Sequence, residues 1–299
     1  MIMIYRRRVL LAVLERARDR VDKVRFQKLL FLLTRHQKEP AYHFLPCRFG
    51  GYSFQAARDA RVLADHHGLL EIGDYDYRLR REGMKEEFLA SLSDEDGEGL
   101  ENVFQTYGNM RNDDLIYKIY EQYPGCAINS ELLSRPHYSA LQAMVEKEKP
   151  RPDTGRPTLY TIGYESLCVE QYVSRLIEKN VSILVDVRRN PLSRKYGFSK
   201  SHLIRITGEC GIEYQHIPAL GIEGSKRRNL KSRNDYDRLF NSYRKSLPHK
   251  EVELNRLQDI FGDHPRIALT CFEKDHTWCH RNALAEAVQE RHSVRVEHL

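Results

Sequence analysis

The chain has 299 residues, with 48 Lys/Arg against 42 Asp/Glu; this is long for one hydrophobic core and sufficient for two domains. No apolar run approaches the ~20 residues of a membrane-spanning helix, and Met1–Ile4 gives way at once to Arg6, Arg7 and Arg8, the reverse of signal-peptide order. The expectation is a cytoplasmic protein with no membrane partner, whose cysteines (Cys47, Cys126, Cys168, Cys210, Cys271 and Cys279) are scattered reduced thiols rather than a disulfide framework. The net charge of +6 is unevenly spread. Residues 1–83 carry 17 Lys/Arg against 10 Asp/Glu, residues 84–150 carry 6 against 13, and residues 151–299 carry 25 against 19. Basic ends around an acidic middle fit nucleic-acid contact by both ends, and equally three solvated surfaces of different sign.

Taken in chain order, Val9, Leu10, Val13 and Leu14 recur at helical spacing, and Asp22 can cap a second helix with Phe26, Leu29, Leu30 and Leu33 on one face. Tyr42–Pro46 reads as an extended piece, Gly50-Gly51 as a turn, and Ser53 as the cap of a third helix. Leu69–Ile72, a turn at Gly73-Asp74, and Tyr75–Leu79 predict a hairpin. Helices followed by a small hairpin point to an α+β, winged-helix-like domain over residues 1–83. The stretches Phe26–Leu33, Phe44–Ser53 and Leu63–Leu70 resemble Panacea-type antitoxin domains and their winged-helix relatives, with Gly51 where those domains usually carry Pro. That resemblance implies docking to DNA or protein. In a winged helix, Arg58 and Arg61 face phosphates or bases from the third helix and Arg78 sits on the wing; the alternative is a solvated helix face.

Residues 84–149 read as a helical connector: Asp94–Glu98 as a solvated loop, then a helix carrying Leu115, Ile116, Ile119 and Tyr120 that ends at Tyr123-Pro124-Gly125. Pro150–Pro157 has the composition of a linker. From Leu159 onward, strands at Leu159–Ile162, Ile183–Val187, Ile212–Ile217, Ile267–Thr270 and Val294–Val296 alternate with helices. This pattern predicts an α/β, Rossmann-like, mainly parallel sheet over residues 158–299.

The motifs lie at the carboxyl ends of those strands, where open α/β sheets bind ligands. Thr161–Glu165, Val185–Arg188 with Pro191 and Ser193, Gly211-Ile212 with Tyr214 and His216, Leu220–Ile222, and Cys271–Glu273 with Cys279–Arg281 resemble the family called domain of unknown function 488. The resemblance implies the fold and names no reaction. By the residues themselves, Asp186 and Glu273 can divide acid/base and electrostatic roles, with Tyr164 or His280 orienting a substrate; Asp186 can equally be an ion-pair partner of Arg188, Arg189 or Arg281. Gly163, Tyr164, Glu165, Arg188, Cys271, Cys279 and Arg281 are candidates for substrate binding. Arg281 and the start of its helix suit anion capture, and Cys279 near that start suits a lowered thiol pKa. Cys-x7-Cys-His lacks the close cysteine pairing of structural zinc sites, so no metal or cofactor is expected. Arg194 and Lys195, interleaved with Tyr196 and Phe198, and the run Lys226–Arg228 suit phosphate neutralisation and base stacking.

The leading expectation is a DNA-directed protein whose C-terminal domain processes a nucleotide, a base or its glycosidic bond. A non-catalytic DNA-binding regulator that senses a phosphate-bearing small ligand, or a toxin–antitoxin style interaction module, are the alternatives.

Overall fold

The computed structural model of the chain describes residues 3–81, 87–151, 157–228, 230–292 and 294–299. They form two units, Met1–Lys149 and Pro150–Leu299. Most of the segment read as a linker, residues 152–156, lies outside the described residues.

The first unit is built around a helix buried on every side. Helix α1 (Tyr5–Arg16) leads through strand β1 (Arg20–Asp22) into α2 (Lys23–His36), whose residues Phe26–Thr34 are all buried. The polar groups buried with it are hydrogen-bonded, Gln27 to the Ser53 carbonyl and Lys28 to the carbonyls of Phe49 and Gly51, as burial of such groups requires. As the sequence predicts, Asp22 caps α2 by accepting from the Arg25 amide, and Ser53 caps α3 (Phe54–Asp65) by accepting from Ala56. Between those helices, β2 (Leu45–Cys47) pairs antiparallel with β3 (Gly50–Tyr52). Gly50-Gly51 is therefore part of a strand, not the turn expected. A Cβ on Gly50 would fall 2.5 Å from the Tyr120 hydroxyl oxygen, so close packing selects glycine there. Strands β4 (Leu70–Ile72) and β5 (Asp76–Leu79) form the predicted hairpin, and β1 adds to it in the antiparallel order β1-β5-β4.

The acidic stretch read as a loop is the opening of α4 (Asp94–Tyr107). Ser93 caps that helix, and Asp94, Glu95 and Asp96 fill its first turn, where negative charge meets the positive end of the helix dipole. With α5 (Asn112–Gln122) it packs on α2. The segment read as a connector thus belongs to the first unit, which ends with α6 (Gln142–Glu148).

The second unit is a five-stranded parallel sheet with helices. Its elements run β6 (Thr158–Gly163), α7 (Val169–Glu178), β7 (Ile183–Asp186), α8 (Lys200–Glu209), β8 (Glu213–His216), α9 (Arg233–Ser246), α10 (Glu251–Asp263), β9 (Arg266–Cys271), α11 (His280–Arg291) and β10 (Arg295–His298). The strand order is β10-β6-β9-β7-β8. Strand β9 therefore lies between β6 and β7, and Gly163 aligns with Cys271 while Asp186 aligns with Thr270. Leu159, Ile183, Val185, Ile267 and Leu269 form one core with Phe240 and Tyr243 of α9, Leu257 of α10 and Leu284 of α11. The crossovers through α7 and α8 advance across the sheet in the direction opposite to those through α9–α10 and α11. Right-handed connection then puts the two sets of helices on opposite faces, which opens a crevice where the direction reverses, at the carboxyl ends of β6, β9 and β7. Among the described residues, no helix is long and apolar enough to cross a membrane.

Candidate functional site

Two groups of side chains stand at these strand ends. The first is centred on Asp186, the last residue of β7, whose alternation directs it away from the core shared with α9–α11. Its carboxylate accepts from the Arg188 amide (3.0 Å), from Arg188 Nε (2.9 Å) and Nη2 (2.5 Å), and from the Tyr214 hydroxyl (2.7 Å). Arg188 Nη1 in turn donates to the Tyr164 hydroxyl and to the Phe198 carbonyl, and the Tyr164 ring stacks on Phe198 at 4.3 Å. The side chain of Asp186 is 0% exposed and that of Arg188 6%. Burial opposes the Arg188 charge, but the hydrogen bonds and charge of Asp186 override it and hold the guanidinium protonated. Burial, with Asp186 beside it, likewise raises the Tyr214 hydroxyl. This is a closed network: every oxygen of Asp186 is engaged.

The second group gathers residues from β9, the start of α11 and the turn before α9. Cys271 ends β9, Cys279 precedes α11 and His280 is its first residue; all three are buried. His280 Nε2 lies 3.2 Å from the Val187 carbonyl, which fixes that nitrogen as the proton donor and leaves Nδ1 as an acceptor. Nδ1 lies 3.7 Å from Cys271 Sγ and 3.8 Å from Cys279 Sγ. Arg227 donates to the same Nδ1 at 2.9 Å and to Glu273 Oε1 at 2.5 Å, while the Cys271 thiol contacts Glu273 Oε2 at 3.2 Å. Tyr243 packs its ring edge-on to His280 at 5.4 Å. The hydrogen bond from Cys279, together with His280 and Arg227, holds the Cys271 thiol well below its ordinary value. Burial pushes Cys279 up instead, so the thiol expected to be acidic at the helix start is the one that keeps its proton. Burial, and then the nearby Cys271, lift the Glu273 carboxyl.

A crevice of about 480 Å³ opens over this second group. It is lined by Cys271, Phe272, Glu273, His280 and Arg227, by Tyr164 and Arg188, and by the loop after β7 that bears Arg189, Arg194 and Lys195. Arg188 is matched by Asp186 and Arg227 by Glu273. Arg189 approaches Glu223 only at 4.0 Å with both side chains about half exposed, an arrangement worth little. The Lys195 ammonium is held over the Tyr164 carbonyl at 2.8 Å. The lining therefore carries more positive than negative charge, and Phe272 adds an exposed aromatic face.

The structure thus gathers Tyr164, Arg188, Arg194, Lys195, Cys271, Glu273 and His280 around one crevice. It puts the other expected residues elsewhere. Asp186 lies within its ion pair. Arg281 is buried, and its Nη1 and Nη2 donate to the carbonyls of Glu273 and Lys274; it straps the Glu273 loop instead of offering its charge to a ligand. Gly163 serves close packing, since a Cβ there would fall 1.7 Å from the Glu273 carbonyl oxygen. Glu165 is exposed and accepts from the Lys274 amide. In the first unit, Arg58 and Arg61 are exposed on α3, while Arg78 is paired with Asp76 and Glu71. Sequence reasoning treated Arg227 only as part of a basic run. A Cβ on Gly221 would fall 2.2 Å from the Arg189 amide, but no local pattern in the sequence marks Arg227 for the crevice.

Residues 168–288 match the family model described as Domain of unknown function DUF488, inside the segment that the motifs mark. No curated protein and no solved structure matches the chain.

Proposed function

We propose that the chain is a DNA-directed protein whose C-terminal crevice binds a phosphate-bearing nucleotide unit, free or within a nucleic-acid strand. The observation that carries this reading is the excess of Arg189, Arg194 and Lys195 around a crevice whose remaining charges are paired. Such a concentration of one sign attracts anions and neutralises phosphate. Phe272 offers a face on which a base can stack. Glu273, a carboxylate of the crevice lining, is the candidate to act on the base or the glycosidic bond. In the first unit, three helices and the sheet β1-β5-β4 occur in the order a winged helix uses, with α3 as the reading helix and Arg58 and Arg61 exposed on it.

One observation favours a second reading, a sensor without turnover. Asp186 is sealed in its ion pair, so Glu273 lacks the second carboxylate with which glycosidic cleavage is usually divided. Fluorescence anisotropy with single-stranded and duplex oligonucleotides, followed by analysis of the products, separates the two. Binding that weakens with salt and with Arg194→Ala/Lys195→Ala supports the crevice. Released base or an abasic site that disappears in Glu273→Gln supports the enzyme. Absence of binding to strands and nucleotides alike at low salt overturns both.

A further inference from the structure

We infer that Cys271, Cys279 and His280 form a three-ligand site for a divalent transition metal, with zinc the best match, whose fourth position faces the crevice. The Sγ, Sγ and Nδ1 atoms all lie within 4.8 Å of one another. Around a tetrahedral zinc with bonds of about 2.3 Å to sulfur and 2.0–2.1 Å to nitrogen, neighbouring ligands stand roughly 3.5–3.8 Å apart. The observed sulfur-to-nitrogen separations of 3.7 and 3.8 Å already approach that spacing. Two thiols and an imidazole are the donor set that favours zinc over magnesium or calcium.

The surroundings are those of a ligand histidine. His280 directs its other nitrogen to the Val187 carbonyl, the contact that fixes the tautomer and turns the lone pair of Nδ1 toward both sulfurs. The three donors come from a strand end and a helix start held by a parallel sheet, so they are brought together without close spacing in sequence. Two thiolates, the Glu273 carboxylate, the Arg227 guanidinium and a divalent cation sum to zero formal charge, which removes the cost of a net buried charge. Binding requires Arg227 to release Nδ1 while it keeps Glu273. Cys271, His280 and Glu273 border the crevice and Cys279 does not, so the open position lies on the crevice side with Glu273 beside it. Three protein ligands and one open position are the arrangement of catalytic rather than structural zinc.

The site is independent of what the crevice binds, and so is its test. The reduced full chain, stripped with a chelator and reloaded with zinc or cobalt(II), is assayed for bound metal by elemental analysis. We expect about one zinc per chain, a thiolate-to-cobalt charge-transfer band, and protection of two thiols from alkylation. Cys271→Ser, Cys279→Ser and His280→Gln should each reduce retention at least roughly 10-fold, whereas Cys47→Ser retains wild-type stoichiometry. The wild-type cobalt spectrum and thiol protection decide the matter even if a variant misfolds. A reduced wild-type chain that takes up no zinc or cobalt, or a metal content unchanged in all three ligand variants, overturns the site. So does the finding that Cys271 and Cys279 form a disulfide in preference to binding metal.

Discussion

The Asp186 and Cys271 groups occupy the carboxyl ends of neighbouring strands in one sheet, and both contain a carboxylate, an arginine and a tyrosine. They differ in the donors they hold and in their access to the crevice. Around Asp186 short bonds from Arg188 and Tyr214 engage every carboxylate oxygen, and the carboxylate is shut away from solvent while Arg188 reaches the crevice wall. Around Cys271 one arginine is divided between Glu273 and His280, the remaining contacts are the long ones of two sulfurs, and the group borders the crevice. A strand end brings residues together, but it is the group with soft donors facing the crevice that retains capacity for a ligand.

The largest test of this contrast is Asp186→Ala. It leaves the Arg188 charge buried without its partner and should cost about 3–5 kcal/mol in denaturant unfolding. A loss under about 1 kcal/mol, with the crevice functions gone, would reverse the assignment and make Asp186 the working carboxylate. Next comes Gly163→Ala, in which the added Cβ collides with the Glu273 carbonyl. We expect roughly 1–3 kcal/mol of destabilisation, together with weakened metal retention as the Cys271–Glu273 loop is pushed aside. Unchanged stability would show that this packing yields easily. Glu273→Gln should shift stability by less than about 1 kcal/mol, because its partner Arg227 keeps a hydrogen-bond acceptor at a partly exposed position. Its effect belongs in ligand binding or turnover, so a large stability loss would move Glu273 into the structural class. Smallest is Lys195→Ala, expected to leave folding intact and to reduce the salt slope for single-stranded DNA by about 0.7 if it covers one phosphate.

Much of the second unit is legible in the sequence, because strand–helix alternation and the motif-bearing strand ends are local patterns. Helix α10 is less legible, although Leu254, Leu257 and Ile260 repeat at near-helical spacing. It sits between two other elements without a cap: Lys250 makes no side-chain cap bond, so no local punctuation announces it. The acidic opening of α4 was misread for the converse reason, since a charge run resembles a loop until its position at a helix dipole is known. At the site, sequence supplied Cys271, Glu273 and His280 but not Arg227, whose arrival depends on the path of a turn. Nor could it tell that Asp186 would be consumed by the arginine two positions later, because alternation along a strand sets the face of a side chain and not its partner.

The insertion of β9 between β6 and β7 has a consequence for how the molecule is made. On an emerging nascent chain, β6 and β7 appear long before the strand that joins them, each with an open edge and no partner on that side. Such edges invite pairing with other chains. A product interrupted ahead of Arg266 would lack both the centre of the sheet and Cys271. The same strand closes the core and delivers the thiol, so the sheet is joined and the crevice group begun in one step.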